Sequence, residues 1–357
     1  MSEKYVAYVG SYTDTNNAKG ITLFDVDVET GYLFKRTEYN CHNASYICTS
    51  KDYRFLYAIT DIGVASFKIN PDGSLKKLNT APIRGMRGCH LSVTNDNTYL
   101  FVSGYYDGKI TVLALNEDGS VGRITDGIFH QGPGSIAERN NRPHVRCATL
   151  TPDEKYLFVV DSGIDQVKIY RFDKFNGTLH GIDAIHCRLA AGPRFIRFSN
   201  DGRFFYSMKE ILNTISVYQY ELGPKGPVYK LVHSVSTLGK KFSDFSAAVF
   251  FRLTEDNRYI FSTNAGDNSV CMFSRDEETG MLEQKMVLPI SGKYPTSVTM
   301  FPDNKHIFVT NVDSNTLTFF TVDYEKNLLV MHGKPIDIPQ PATSLMIKLP
   351  EIPMEEE

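Results

Sequence analysis

The chain has 357 residues, with 38 basic and 41 acidic side chains and a formal net charge of −3 at neutral pH. That near-balance excludes a one-signed field able to recruit nucleic acid or an anionic membrane, and no run of about 18 apolar residues is present to span a bilayer. The six cysteines, Cys41, Cys48, Cys89, Cys147, Cys187 and Cys271, lack CxxC spacing, which argues against a disulfide framework and against a zinc site.

In chain order, the first element is the strand KYVAYVGSYT, in an N-terminal stretch with no apolar export signal, so a cytosolic location is expected. The alternating GITLFDVD and the turn ETGYL follow, a hairpin signal in which Gly31 supplies the positive φ of a tight turn. Three strand patterns then recur as a unit. NASYICTS, KDYRFLYAIT and GVASFKIN form the first, and CHLSVTND, NDNTYLFVSG and KITVLALN the second. PHVRCATLTPD, PDEKYLFVVD and QVKIYRFD come next, then PRFIRFSND, NDGRFFYSMK and TISVYQYE. AAVFFRLTED, EDNRYIFSTN and SVCMFSRD precede PTSVTMFPD, PDNKHIFVTN and TLTFFTVD. The anchoring aspartates Asp52, Asp96, Asp153, Asp201, Asp256 and Asp303 are spaced by 44, 57, 48, 55 and 47 residues.

The final element, PATSLMIKLP, has no strand after it, and KYVAYVGSYT at the other end is the missing continuation. A ring of blades closed by a shared blade removes its edge strands in this way. The expected fold is therefore all-β, a seven-bladed β-propeller formed by residues 1–357 as one domain, with 351–357 as a solvated acidic tail. Seven units of 51 residues leave room for four short strands each. WD40 repeats are shorter and need a Trp-Asp pair that this Trp-free chain lacks, and the paired glycines of kelch repeats are absent.

If the pattern before each aspartate is the innermost strand, the loops feeding it meet at one mouth of the central channel. IRGMRGCH, HQGPGSIAERNNRPH, LAAGPR, LGKKFSDFSAA and SGKYPT are rich in Arg, Lys, His and Gly. Seven residues before the aspartates stand Ser45, Cys89, Arg146, Arg194 and Thr296, with the Asp256 copy read as shifted by one extra residue. Two neighbouring arginines make an anion seat, set against the common case of solvated loop cations. Glu210, at the end of the next strand, reads as a general base or as the ion-pair partner of Arg194 or Lys209. Arg146, Arg142, His90 and Lys209 form the expected binding set for a small anionic substrate. Cys89 and Cys147 read as structural thiols before nucleophiles. The nine histidines show no ligand spacing and no Asp-rich calcium loop occurs, so no metal and no cofactor are expected.

YVGSYT with GITLFDVDVETGYL, then GPGSIAERNNRPHVRCATLTPDEKYLFVVD, then AAGPRFIRFSNDGRFFYSMKEILNTISVY resemble the lactonase family of seven-bladed propellers over essentially the whole chain. The family includes propeller-type 6-phosphogluconolactonases and carboxymuconate cyclases. The resemblance implies a metal-free lactone hydrolase with Glu210, Arg194 and His144 as catalytic residues: Arg194 matches the Arg of Gly-Pro-Arg, Glu210 the family's Glu and His144 the first His of His-x-His. The chain departs at Arg146 in place of the second His, Ala265 and Thr296 in place of Arg, and Phe195 in place of His. Arg146 thus replaces the cation lost at 265 from a different blade. Two alternatives stay open, a carboxymuconate-type lactonizing isomerase and a non-catalytic small-molecule-binding propeller.

Overall fold

The computed structural model describes residues 3–14, 17–136 and 141–350; the acidic tail expected at 351–357 lies outside them. Strands β1 to β28 form seven four-stranded antiparallel sheets. Each sheet is one blade, and the expected all-β propeller is the observed fold. In six blades the strands run from channel to rim in sequence order. The seventh is made of β28 (Pro341–Lys348), β1 (Tyr5–Ser11), β2 (Gly20–Asp27) and β3 (Tyr32–Asn40) in that order, so β28 and β1 pair across the two ends of the described chain.

The recurring aspartate makes the turn between the inner strand and the next. Asp52, Asp96, Asp153, Asp201, Asp256 and Asp303 each accept the backbone N–H two residues on. The residue between, from Tyr53 and Asn97 through Glu154, Gly202 and Asn257 to Asn304, has φ between 53° and 69°. An Asx-type turn of this kind is what a short acidic side chain favours. Before every one of these aspartates except Asp303, where Phe301 stands, a Ser or Thr lies two residues earlier, and Ser50 and Thr151 each donate a hydroxyl bond to the carboxylate at 2.6 Å.

One aromatic per blade wedges between neighbouring sheets: Tyr8, Tyr57, Phe101, Phe158, Tyr206, Phe261 and Phe308 are all fully buried. Tyr8 and Tyr206 satisfy their hydroxyls on the hairpins of the next blade, at Gly73 O (2.6 Å) and Gly280 O (3.1 Å). Truncating such a wedge to alanine is worth about 3–5 kcal/mol. The core therefore lies between blades and leaves the inner strands' edges to line the channel.

Candidate active site at the channel mouth

The mouth is ringed by residues in β-bulges. In β12 (Val145–Leu150) the pairing skips Arg146, in β16 (Pro193–Phe198) it skips Arg194, and in β20 (Ala247–Leu253) it skips Val249. Thr296 in β24 (Pro295–Met300) and Ala342 in β28 are skipped in the same way. A bulge leaves one residue unpaired and re-aims its side chain, here into the mouth. Val249 lies seven residues before Asp256, so this copy follows the common count and the extra residue expected there does not exist. Ser45, Cys89, Arg146, Arg194, Val249, Thr296 and Ala342 all line one cavity of about 260 Å³.

Glu210 follows β17 (Phe204–Lys209) directly and is clamped by its backbone: its N–H donates to Gly192 O at 2.7 Å, and its carbonyl accepts from Ala248 N at 3.2 Å. Its Oε2 accepts from Arg146 Nη2 at 2.9 Å and from Arg194 Nη1 at 3.0 Å. Arg194 is tied further by Nε to Val249 O at 2.8 Å, across to the next blade. The Arg146 guanidinium lies 4.1 Å from the Tyr105 ring centroid. Two cations from neighbouring blades thus share one carboxylate oxygen, in a low-dielectric site where such charge-assisted bonds are strong.

Of the residues singled out from sequence, Arg146, Arg194 and Glu210 come together, and His90 lines the same cavity. His144 does not reach it. Its ring is buried, stacked 4.2 Å from Tyr105, with Nδ1 2.7 Å from Tyr105 O, so it acts as the prop of the ring that seats Arg146. Lys209 points away from the mouth, because neighbours at a strand end face opposite sides. It is buried 3.3 Å from Ser207 Oγ and 5.7 Å from the Tyr218 ring, where burial lowers its pKa. Arg142 is exposed and outside the lining, so the binding set expected from sequence loses both Lys209 and Arg142. The thiols stay protonated at neutral pH: burial pushes Cys89 up to about 11 and raises Cys147 as well.

Other residues of the site escaped the sequence reading. Arg87 lines the mouth, 5.5 Å from the Tyr12 ring, and contacts Asp61 at 3.4 Å and Asp14 at 3.8 Å. It lies two residues before the ring position Cys89, a spacing visible in sequence once the ring is known. Asp161 is buried, bonds His130 Nδ1 at 2.7 Å and accepts from His144 N at 2.8 Å, which fixes the segment carrying Arg146. Among the described residues, no group of three or more His, Cys, Asp and Glu is placed to hold a metal ion.

The sequence model described as "Lactonase, 7-bladed beta-propeller" matches residues 6–346. A 6-phosphogluconolactonase of Bacillus subtilis (strain 168) is 30% identical over 305 residues, which is 84% of this chain and 86% of that protein. A Bacteroides fragilis protein provisionally named a 6-phosphogluconolactonase has a crystal structure that superimposes with a TM-score of 0.88 at 26% identity, covering 97% and 98% of the two chains. The periplasmic gluconolactonase of Pseudomonas aeruginosa shares the fold, with a TM-score of 0.90 at 23% identity over 97% of this chain and 100% of that one.

Proposed function

The chain belongs to the lactonase family of seven-bladed β-propellers, and on that footing we propose that it is a carboxylic-ester hydrolase opening a sugar-acid lactone of the 6-phosphogluconolactone type. The observation that carries this reading is Glu210 held between Arg146 and Arg194, two arginines that line the mouth cavity together with Arg87. A lactone carbonyl set against the two guanidiniums has its oxygen polarised, and the same donors stabilise the oxyanion formed when water adds. Glu210 takes the proton from that water and returns it to the ring oxygen as the carbon–oxygen bond breaks, giving the hydroxy acid. Arg87 faces the distal end of the substrate, where an anionic phosphate or carboxylate meets a cation. His144 and Asp161 act through position alone.

The test is ring opening of 6-phosphogluconolactone by purified protein, read above the spontaneous rate. Glu210→Gln is expected to remove about 10²–10⁴ of the enzymatic gain, and Arg194→Gln about 10²–10³ as the loss of an oxyanion donor. A Glu210→Gln variant as active as the parent makes Glu210 a mere ion-pair partner. No acceleration of any phosphorylated or unphosphorylated sugar lactone overturns the reading altogether.

A further inference from the structure

Behind the mouth the channel is crossed by an aromatic collar. Tyr46 and His90 lie 4.6 Å apart, His90 and Phe195 5.8 Å, and Phe195 and Phe250 4.9 Å, between ring centroids. Beyond the collar is a second cavity of about 590 Å³, reaching exposed Lys51, Asn95 and Asn200 near the aspartate turns on the opposite face. Three residues along each inner strand from the mouth ring stand Cys48, Ser92, Thr149, Arg197, Arg252, Thr299 and Leu345. This second ring holds two cations, on adjacent blades, and no carboxylate.

Neutral groups alone answer those cations. Arg197 donates to Thr149 Oγ1 at 3.4 Å and to Tyr46 OH at 3.5 Å, both long, and lies 4.5 Å from the Phe195 ring centroid. Arg252 donates to Ser344 O at 3.3 Å, and its Nε is buried without a hydrogen-bond partner. Burial, with the Arg197 charge adding to it, brings Arg252 down to about 10. The carboxylate in the cavity lining, Glu154, is engaged by Asn95 N and by Lys174 Nζ. At the mouth, by contrast, Glu210 lies between its two arginines. Like charges withdrawn from water together are costly unless a counter-ion joins them, and the planar fork of arginine fits oxyanions.

We propose that the inner cavity is an anion seat, separate from the mouth, in which Arg197 and Arg252 grip one tetrahedral oxyanion of the phosphate type. Tyr46 OH stands beside Arg197 as a further donor, and entry is from the face opposite the mouth. The seat is independent of lactone opening and stands whether or not that activity is found.

Isothermal titration with inorganic phosphate tests it. A site is expected in the parent that survives Arg194→Gln and weakens by about tenfold to a hundredfold in Arg197→Gln and in Arg252→Gln, since each removes charge-assisted bonds. In phosphate-free buffer Arg252→Met is expected to melt no lower than the parent, because a half-buried cation without a counter-ion is gone. Competition by glucose 6-phosphate identifies a phosphorylated metabolite as the occupant, and its failure identifies the free ion. Phosphate binding untouched by either inner-ring substitution, or abolished by Arg194→Gln alone, overturns the proposal. If the variants do not fold, crystals of the parent soaked in selenate decide: an anomalous peak between Arg197 and Arg252 supports the seat, and its absence refutes it.

Discussion

Packed among Tyr46, Phe195 and Cys147, the His90 ring is driven well below the ordinary histidine value of 6.5, first by loss of hydration and then by the Arg197 charge. Ala148 N donates to Nδ1 at 3.5 Å, and Cys147 Sγ lies 3.5 Å from Nε2, an arrangement that suits the neutral ring. His90 therefore meets the mouth cavity as a neutral wall, while Arg87, Arg146 and Arg194 carry its positive charge. The consequence for stability has a definite sign. Below about pH 6.5 the unfolded chain binds a proton at this side chain and the folded chain does not, so stability falls with pH by about 1.4 kcal/mol per unit. Urea denaturation at about pH 7.5 and about pH 5.5 is expected to show the parent losing about 1.4 kcal/mol more than His90→Phe. Equal losses in the two proteins would mean that the folded state accepts the proton.

At the scale of the element, the Gly-Pro-Arg segment sets both halves of the ion cluster. Gly192 has φ +58°, accepts the Glu210 N–H, donates to Asp165 Oδ1 at 2.8 Å and leads through Pro193 into the bulge that aims Arg194. A Cβ at this position would stand 2.8 Å from Ile211 Cγ1 in a backbone region that side chains disfavour. Gly192→Ala is expected to cost about 1–3 kcal/mol in stability and to lower lactone turnover more than substrate affinity, because Glu210 shifts against Arg194. Thermal melts and a kcat against KM comparison check it, and unchanged kcat in a destabilised variant would separate the turn from the chemistry. The blade count, the inner-strand assignment and the Arg194–Glu210 pair were legible because the aspartate turn fixes where each inner strand ends. The bulges were not, since they are an offset between two strands and leave no mark in either alone. That is why the sequence places His144 at the mouth although its ring turns onto Tyr105, whereas the Val249 copy keeps the count of seven and was readable without the bulge. The choice between Glu210 and Lys209 needed the strand's parity, and Arg142 needed a view of which loop residues face outward.

For the molecule as a whole, the two ends of the described chain meet in one blade, and the site depends on that closure. β28 pairs along β1 from Tyr5 with Lys348 to Ser11 with Pro341, and it places Ala342 and Thr343 in the mouth cavity and Leu345 in the inner one. Ser344 joins it to the preceding blade, with its Oγ 2.8 Å from Thr299 Oγ1 and 3.2 Å from Ser297 Oγ, and its carbonyl accepts from Arg252. Without β28 the ring has a gap one strand wide, β1 becomes an open edge, and buried Ile347 and Leu349 no longer cover their cluster. An open, apolar edge strand is a template for pairing with another chain. Truncation after Gln340 is therefore expected to give an aggregating protein without a cooperative melt and without lactone turnover. Adding a synthetic peptide of residues 341–350 in excess should restore both, because the strand docks by main-chain pairing as an added strand does. Size-exclusion profiles and melting curves with and without the peptide provide the readout. A truncated chain that stays monomeric and melts like the parent would show that six blades and three strands suffice, and that the terminal pair is not what holds the ring closed.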